Sequence, residues 1–140
     1  MKVVILAGGL GTRLGATGKS MPKPMVNVGG KPMLWHVMKI YSFYGFNEFI
    51  ICLGYKGDVI KDFFLNFNNR NNDFTIDTKD GQIDYHNFSD ENWKVTLVDT
   101  GLETLKGGRI KRIEQYLDSD SNMLTYGDGV ANINIKELLE

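Results

Sequence analysis

Gly8, Gly9 and Gly11 place three glycines in four positions near the start of the chain, and Arg13 follows two residues later. Without Cβ atoms in the way, consecutive backbone N–H groups can close around an anion. A guanidinium beside them adds a planar fork that matches phosphate oxygens. The chemistry open to such a loop is phosphate binding. A little further on, Met21-Pro22-Lys23-Pro24-Met25 brackets one lysine between two prolines. Each proline fixes its own φ and restricts the residue before it, so Lys23 is presented on a stiff backbone. The plain alternative is a solvated loop lysine, which is the reading for Lys19, where no such bracket exists.

Two familiar phosphate motifs fail. A dinucleotide fingerprint counted from Gly9 needs glycine where Leu14 stands, and Gly18-Lys19-Ser20 imitates the end of a P-loop whose first glycine would have to replace Arg13. Near the other end, Asp128 lies between Gly127 and Gly129 after an apolar run. Mg²⁺ is commonly held by one or two carboxylates plus substrate phosphates, yet an ordinary aspartate turn has the same spelling. His36 and His86 have no second metal-type ligand close by in sequence and read as structural residues. Trp35, Tyr41, Phe63 and Phe64 follow helical spacing and read as core. Cys52, inside an apolar strand, reads as an inert buried thiol.

The elements that must position these residues alternate. Val3 to Leu6 is a β-branched run expected of a strand covered on both faces, followed by a long loop from Gly8 to about Gly30. Met33, Leu34, Val37, Met38 and Tyr41 predict a helix stopped by Gly45, and Phe49 to Leu53 predicts a second buried strand. Val59, Ile60, Phe63, Phe64 and Phe67 predict another helix, ended by the polar run Asn68 to Asn72. Phe74 to Thr78 and Gln82 to His86 then alternate around Lys79-Asp80-Gly81, a hairpin signal. Trp93 to Val98 predicts a strand, Ile110 to Leu117 a helix, Asn122 to Tyr126 a last strand, and Ile135 to Leu139 the beginning of a helix. The alternation implies one α/β unit over residues 1–140, with a parallel sheet, helices on both faces and an inserted hairpin.

Composition narrows the function classes. With 140 residues, 42% of them apolar, the chain can bury a real core, and no apolar run approaches the roughly 20 residues of a membrane-spanning helix. The apolar stretch from Val3 to Ala7 is too short for a secretory signal, and a single cysteine permits no internal disulfide, so the expected address is cytoplasmic. Net charge is −1 but uneven: residues 1–70 carry nine Lys/Arg against three Asp/Glu, and residues 71–140 carry seven against fourteen. The basic half suits an anionic ligand, and the acidic half argues against a nucleic-acid-coating surface; uneven surface decoration is the alternative.

Gly8-Gly9-Leu10-Gly11-Thr12-Arg13-Leu14 together with Pro22-Lys23-Pro24 resembles the signature of the sugar-1-phosphate nucleotidylyltransferases. The resemblance continues through Val26 to Trp35-His36, Ile50 to Gly57, Val95 to Gly101, Gly107-Gly108-Arg109 and Thr125 to Gly129, with Asn66 to Trp93 the least diagnostic region. It implies a Rossmann-like three-layer α/β sandwich with a mainly parallel sheet and an inserted β-hairpin, truncated at the C-terminus. Residues 1–140 would be its nucleotide-binding part, the sugar-binding part and a second metal-binding aspartate lying beyond Glu140.

Among family branches, the pattern is most similar to the one joining CTP and α-D-glucose 1-phosphate into CDP-glucose and pyrophosphate. A uridylyl-, thymidylyl- or guanylyltransferase, or a non-catalytic nucleotide-binding homologue, are the alternatives. The resemblance implies nucleotide contacts from Leu6, Ala7, Gly8, Gly9, Leu10, Gly11, Thr12, Arg13, Lys23, Thr104, Arg109 and Gly127, with Arg13 and Lys23 catalytic and Asp128 binding Mg²⁺. Arg109 could instead face solvent at the start of its helix. Also implied are homo-oligomers at full length, no nucleic-acid or membrane partner, and a role in bacterial surface-polysaccharide (O-antigen, lipopolysaccharide) sugar synthesis.

Overall fold

The computed structural model describes residues 1–8, 12–14, 19–87, 91–101, 106–119, 121–127 and 133–134. In chain order these form β1 (Val3–Ala7), β2 (Thr12–Leu14), β3 (Lys19–Met21), a 3₁₀ turn (Lys23–Met25), β4 (Asn27–Val28), β5 (Lys31–Pro32), α1 (Met33–Phe43) and β6 (Glu48–Leu53). They continue with α2 (Gly57–Leu65), α3 (Phe67–Asn71), β7 (Phe74–Asp77), β8 (Gln82–Tyr85), β9 (Lys94–Asp99), α4 (Lys106–Arg112), a second 3₁₀ turn (Glu114–Tyr116), β10 (Met123–Tyr126) and β11 (Ile133–Asn134).

The main sheet runs β11-β10-β1-β6-β9. Its four longer strands are parallel, with Val4 opposite Leu124 on one side and Ile50 on the other, and Ile50 opposite Thr96; β11 is antiparallel to β10. The chain builds outward from β1 through β6 to β9, then returns to lay β10 on the opposite side of β1. That reversal leaves a crevice at the carboxyl ends of β1 and β10, where open α/β sheets take their ligands.

Side chains of a strand alternate between faces, and both faces of β1 and β6 are covered. Val3, Ile5, Ala7, Phe49, Ile51 and Leu53 pack with Leu34, Val37, Met38 and Tyr41 of α1 and with Ile60 and Phe63 of α2. Val4, Leu6, Ile50 and Cys52 pack with Ile110 of α4, Ile113 and Leu124. The result is the expected three-layer sandwich. Trp35 and Phe64 pack against the first cluster, so the aromatic residues at helical spacing are core. Cys52 is fully buried.

Helix α1 stops as expected. Gly45 takes φ 92°, and the Gly45 and Phe46 N–H groups donate to the Ser42 and Tyr41 carbonyls at 2.9 and 3.1 Å. This crossed pair is a Schellman closure, which needs a residue tolerant of positive φ. The hairpin also forms at its expected place, with Ile76 opposite Ile83 and Phe74 opposite Tyr85.

Three expectations are corrected. The polar run after Phe67 does not end a helix: α2 stops at Leu65, and a separate α3 continues through Asn71. The asparagine amides support helical carbonyls rather than competing with them, Asn66 Nδ2 donating to Asp62 O at 2.9 Å and Asn71 Nδ2 to Phe67 O at 2.8 Å. The stretch from Gly8 to Gly30 is not one irregular loop, because β2 pairs with β3 and β4 with β5 inside it. The helix expected from Ile110 to Leu117 begins earlier, at Lys106, and tightens into the Glu114–Tyr116 turn. The helix expected from Ile135 lies outside the described residues.

Ile51 is fully buried in the first core cluster, and Phe43 is 84% exposed. Ile51→Ala should therefore cost about 2–5 kcal/mol of unfolding free energy in a denaturant titration, and Phe43→Ala within about 0.5 kcal/mol of nothing. Burial pushes the Cys52 thiol from 9.0 up to about 12, the nearby Arg109 charge opposing the rise. The unfolded chain loses this proton first, so Cys52 contributes stability below its unfolded value that disappears as pH climbs toward 12. Thiol reagents at pH 8 should leave native Cys52 unmodified and label it on denaturation.

Candidate functional site

The crevice between β1 and β10 is lined by chain segments far apart in sequence. Strand β1 delivers Gly8 at its end. The Gly127 N–H donates to the Leu6 carbonyl at 3.0 Å, which fastens the β10 end beside it. Lys23 opens its 3₁₀ turn between two buried prolines and is itself exposed. The turn closes through Met25 N–H to Pro22 O at 2.9 Å and Val26 N–H to Lys23 O at 3.1 Å, with Met25 anchored in the core. A Cβ on Gly127 would lie 2.9 Å from Pro24 Cγ and 3.5 Å from Ala7 Cβ. The proline-bracketed turn, the β1 end and the β10 end therefore touch.

Leu6 and Ala7 are both buried, Leu6 in the α4-side core and Ala7 in the α1-side core. Their side chains are packed inward, and the Leu6 carbonyl is taken by the Gly127 N–H. Thr12 and Arg13 lie on β2, with Arg13 opposite Ser20 of β3. Gly9, Leu10, Gly11, Thr104 and Asp128 lie outside the described residues, as do the side chains of Thr12 and Arg13. The two histidines have local partners: His36 Nε2 is 2.7 Å from Val28 O, and His86 Nε2 is 2.6 Å from Thr75 Oγ1.

Arg109 does not face solvent. It is 7% exposed, on α4 beneath the strand ends. Its Nη1 donates to Thr100 Oγ1 at 2.8 Å and to Leu53 O at 3.3 Å, and its Nη2 donates to Gly8 O at 3.0 Å. One guanidinium thus binds oxygens at the carboxyl ends of β1, β6 and β9. A buried guanidinium is tolerated because such oxygens replace its water. Arg112 adds a second tie from α4, donating to Thr100 O at 2.6 Å. Thr100, fully buried, has no periodicity or motif spacing to announce it; the only sequence signal is a hydroxyl directly after an apolar strand.

Glycine is required where this arginine lies. A Cβ on Gly8 would sit 1.9 Å from Arg109 Nη1, and one on Gly54 would sit 2.6 Å from the Gly8 carbonyl oxygen. A Cβ on Gly107 meets nothing within 4 Å. Gly54→Ala should lower stability by about 1–3 kcal/mol, since a backbone oxygen has nowhere to go. Gly107→Ala, in α4, should raise it by roughly 0.5–1 kcal/mol. Thermal melts of the two variants check both signs.

The chain is similar to known proteins in sequence and in fold. The chain is 48% identical over 139 residues to a probable glucose-1-phosphate cytidylyltransferase of Bacillus subtilis, covering 99% of this chain and 54% of that protein. It is 50% identical over 141 residues to the glucose-1-phosphate cytidylyltransferase of Salmonella typhimurium, covering 55% of it. The chain thus spans about half the length of the curated relatives it matches. The crystal structure of HddC from Yersinia pseudotuberculosis complexed with GMP-PN superposes with a TM-score of 0.63 at 30% identity, over 99% of this chain and 52% of that one. The family model for the MobA-like NTP transferase domain matches residues 3–79, a span that holds β1, the glycine-rich loop, the Pro22-Lys23-Pro24 turn and β6. With two of the sheet's strands, the glycine-rich loop and the lysine turn inside that match, the chain belongs to the MobA-like NTP transferase domain family.

Proposed function

We propose that this chain is the nucleotide-binding part of an enzyme that joins CTP and α-D-glucose 1-phosphate into CDP-glucose and pyrophosphate. The observation that carries the reading is the meeting of the β1 end, the Lys23 turn and Gly127 at the sheet's reversal point. The choice of substrates rests on the relatives: the two at about half identity, matched over this whole chain, are named as glucose-1-phosphate cytidylyltransferases. A guanylyltransferase for D-glycero-α-D-manno-heptose 1-phosphate from Campylobacter jejuni is matched over only 46% of the chain, at 42% identity.

In this reaction a phosphate oxygen of glucose 1-phosphate attacks the α-phosphorus of CTP. The bond from that phosphorus to the bridging oxygen breaks, and pyrophosphate leaves. No covalent enzyme intermediate is needed, so catalysis consists of positioning and charge neutralisation. Backbone N–H groups from Gly8 to Gly11 and the Thr12 hydroxyl cradle the triphosphate, Arg13 neutralises the departing pyrophosphate, and Lys23 bridges the α-phosphate and the incoming sugar phosphate. Thr104 and Gly127 complete the nucleotide contacts, and Arg109, buried behind the loop on Gly8 O, acts on the nucleotide through that carbonyl rather than by touching it. Cytosine offers an N4 amino donor, which a backbone carbonyl at the crevice can accept.

Asp128 directly follows Gly127, which packs against Pro24 and Ala7 beside the β1 end. One carboxylate there plus phosphate oxygens makes a donor set that suits Mg²⁺. The ion, when bound, would supply charge neutralisation on the phosphates. The working site of the enzyme would be the bacterial cytoplasm, as a homo-oligomer, supplying an activated sugar for surface-polysaccharide synthesis.

Calorimetric titration of the 140-residue chain with CTP, UTP, dTTP and GTP in Mg²⁺ tests the reading, and CTP should bind tightest. Arg13→Ala should weaken CTP at least tenfold, because a charge-assisted hydrogen bond contributes about 1.5–3 kcal/mol. Tighter binding of another triphosphate would move the assignment to that base. Absence of binding to all four would overturn it.

A further inference from the structure

Every residue assigned to the phosphates above comes from the β1 loop, the lysine turn or the β10 end, yet the Gly8 carbonyl at the root of that loop is held from outside them. We propose that Thr100 is a positioning residue for the nucleotide site: its hydroxyl sets the Arg109 guanidinium, and Arg109 sets the peptide plane from which the glycine loop departs. The inference rests on the nucleotide-binding reading and adds a residue to it.

The direction of the hydrogen-bond chain follows from donor counting. Thr100 lies just past β9, fully buried. Its N–H donates to Leu53 O at 2.9 Å and its Oγ1–H to the same oxygen at 2.8 Å. A threonine hydroxyl has one hydrogen. With that hydrogen committed to Leu53, Oγ1 turns only lone pairs toward Arg109 Nη1, 2.8 Å away. The guanidinium is planar, so seating Nη1 on Thr100 fixes where Nη2 points, and it points at Gly8 O, 3.0 Å away. Arg112 holds the Thr100 carbonyl at 2.6 Å, so Thr100 itself is tied to α4 at both its side chain and its backbone.

Steric fit removes the slack. The guanidinium occupies the space that side chains on Gly8 and Gly54 would need. Displacing it would free the first carbonyl of the loop and loosen the donors that follow. Hydrogen-bond donors aimed before the ligand arrives cost no reorganisation when it binds, so loosening them weakens affinity.

Thr100→Val keeps the shape and removes the hydroxyl, and Thr100→Ser restores it. Calorimetry with CTP and with inorganic tripolyphosphate, beside thermal melts, separates the possibilities. Thr100→Val should melt cooperatively and raise both dissociation constants by roughly tenfold, with equal factors because the defect lies in the phosphate loop. Thr100→Ser should bind as wild type. In an Arg109→Gln background, Thr100→Val should add less than about twofold, since one residue acts through the other. A lowered melting temperature with unchanged affinities would overturn the inference, as would full additivity with Arg109→Gln. If Thr100→Val does not melt cooperatively, Arg109→Lys keeps the charge but loses the fork: the same tenfold loss supports the inference, and wild-type affinity overturns it. If the wild-type chain binds neither ligand, the nucleotide reading falls and takes this inference with it. If wild type binds and Thr100→Val binds equally, only this inference falls.

Discussion

The buried guanidinium of Arg109 is the interaction on which the ligand end of the molecule depends. Parallel strands leave their last carbonyls facing the same way, and the crevice end of such a sheet has no further strand residues to satisfy them. Here a side chain from α4 takes the Gly8 and Leu53 carbonyls together with the Thr100 hydroxyl. An unsatisfied buried oxygen costs roughly 1–3 kcal/mol, so the arrangement stabilises the strand ends as a group. It also explains glycine at positions 8 and 54, where side chains would collide with the guanidinium or with the Gly8 backbone.

From that constraint the rest of the site follows. With β1, β6 and β9 tied at one end, the return of β10 to the far side of β1 reverses the parallel strand order of the described residues at β1, the strand that runs into Gly8. The lysine turn reaches the same place because Met25 is buried among α1-side residues while Pro24 lies against Gly127. Lys23 thus stays exposed while both of its neighbours are buried. An exposed cation on proline-fixed backbone is the arrangement that the proposed reaction, limited by positioning and charge, requires.

The two faces of the sheet are unequal in what they do. The α1 and α2 side carries most of the buried apolar residues, including Phe49, Leu34 and Met38. The α4 side is smaller, with Ile110, Ile113 and Leu124 over Val4, Ile50 and Cys52, and it holds the arginines that reach the strand ends. One layer is chiefly packing, and the other couples packing to the site. Cys52 lies fully buried in that second layer, and this burial raises its thiol to about 12 against the opposing Arg109 charge.

Much of this was legible in the sequence because it depends on short-range pattern. Continuous apolar runs mark β1 and β6 as strands buried on both faces, Gly45 marks the end of α1, and Asp80-Gly81 marks the hairpin. The glycine loop and the proline-bracketed Lys23 carry their chemistry in their own spacing. Other features were out of reach because they depend on contacts between distant segments. Asn68 to Asn72 reads as a helix stop by composition, and only the contacts of the folded chain show the Asn66 and Asn71 amides supporting helical carbonyls. Arg109 reads as a nucleotide contact or a solvent-facing helix-start cation until α4 is laid under the strand ends. Thr100 shows only a hydroxyl after an apolar strand: its place requires Leu53, Arg109 and Gly8, spread over about a hundred residues, to meet around one guanidinium. Residue type and local spacing suffice to nominate Arg13 and Lys23 as phosphate-binding candidates. Which residues hold the strand ends in place was decided only by the tertiary structure, because hydrogen bonds between those ends and a helix beneath them have no sequence period.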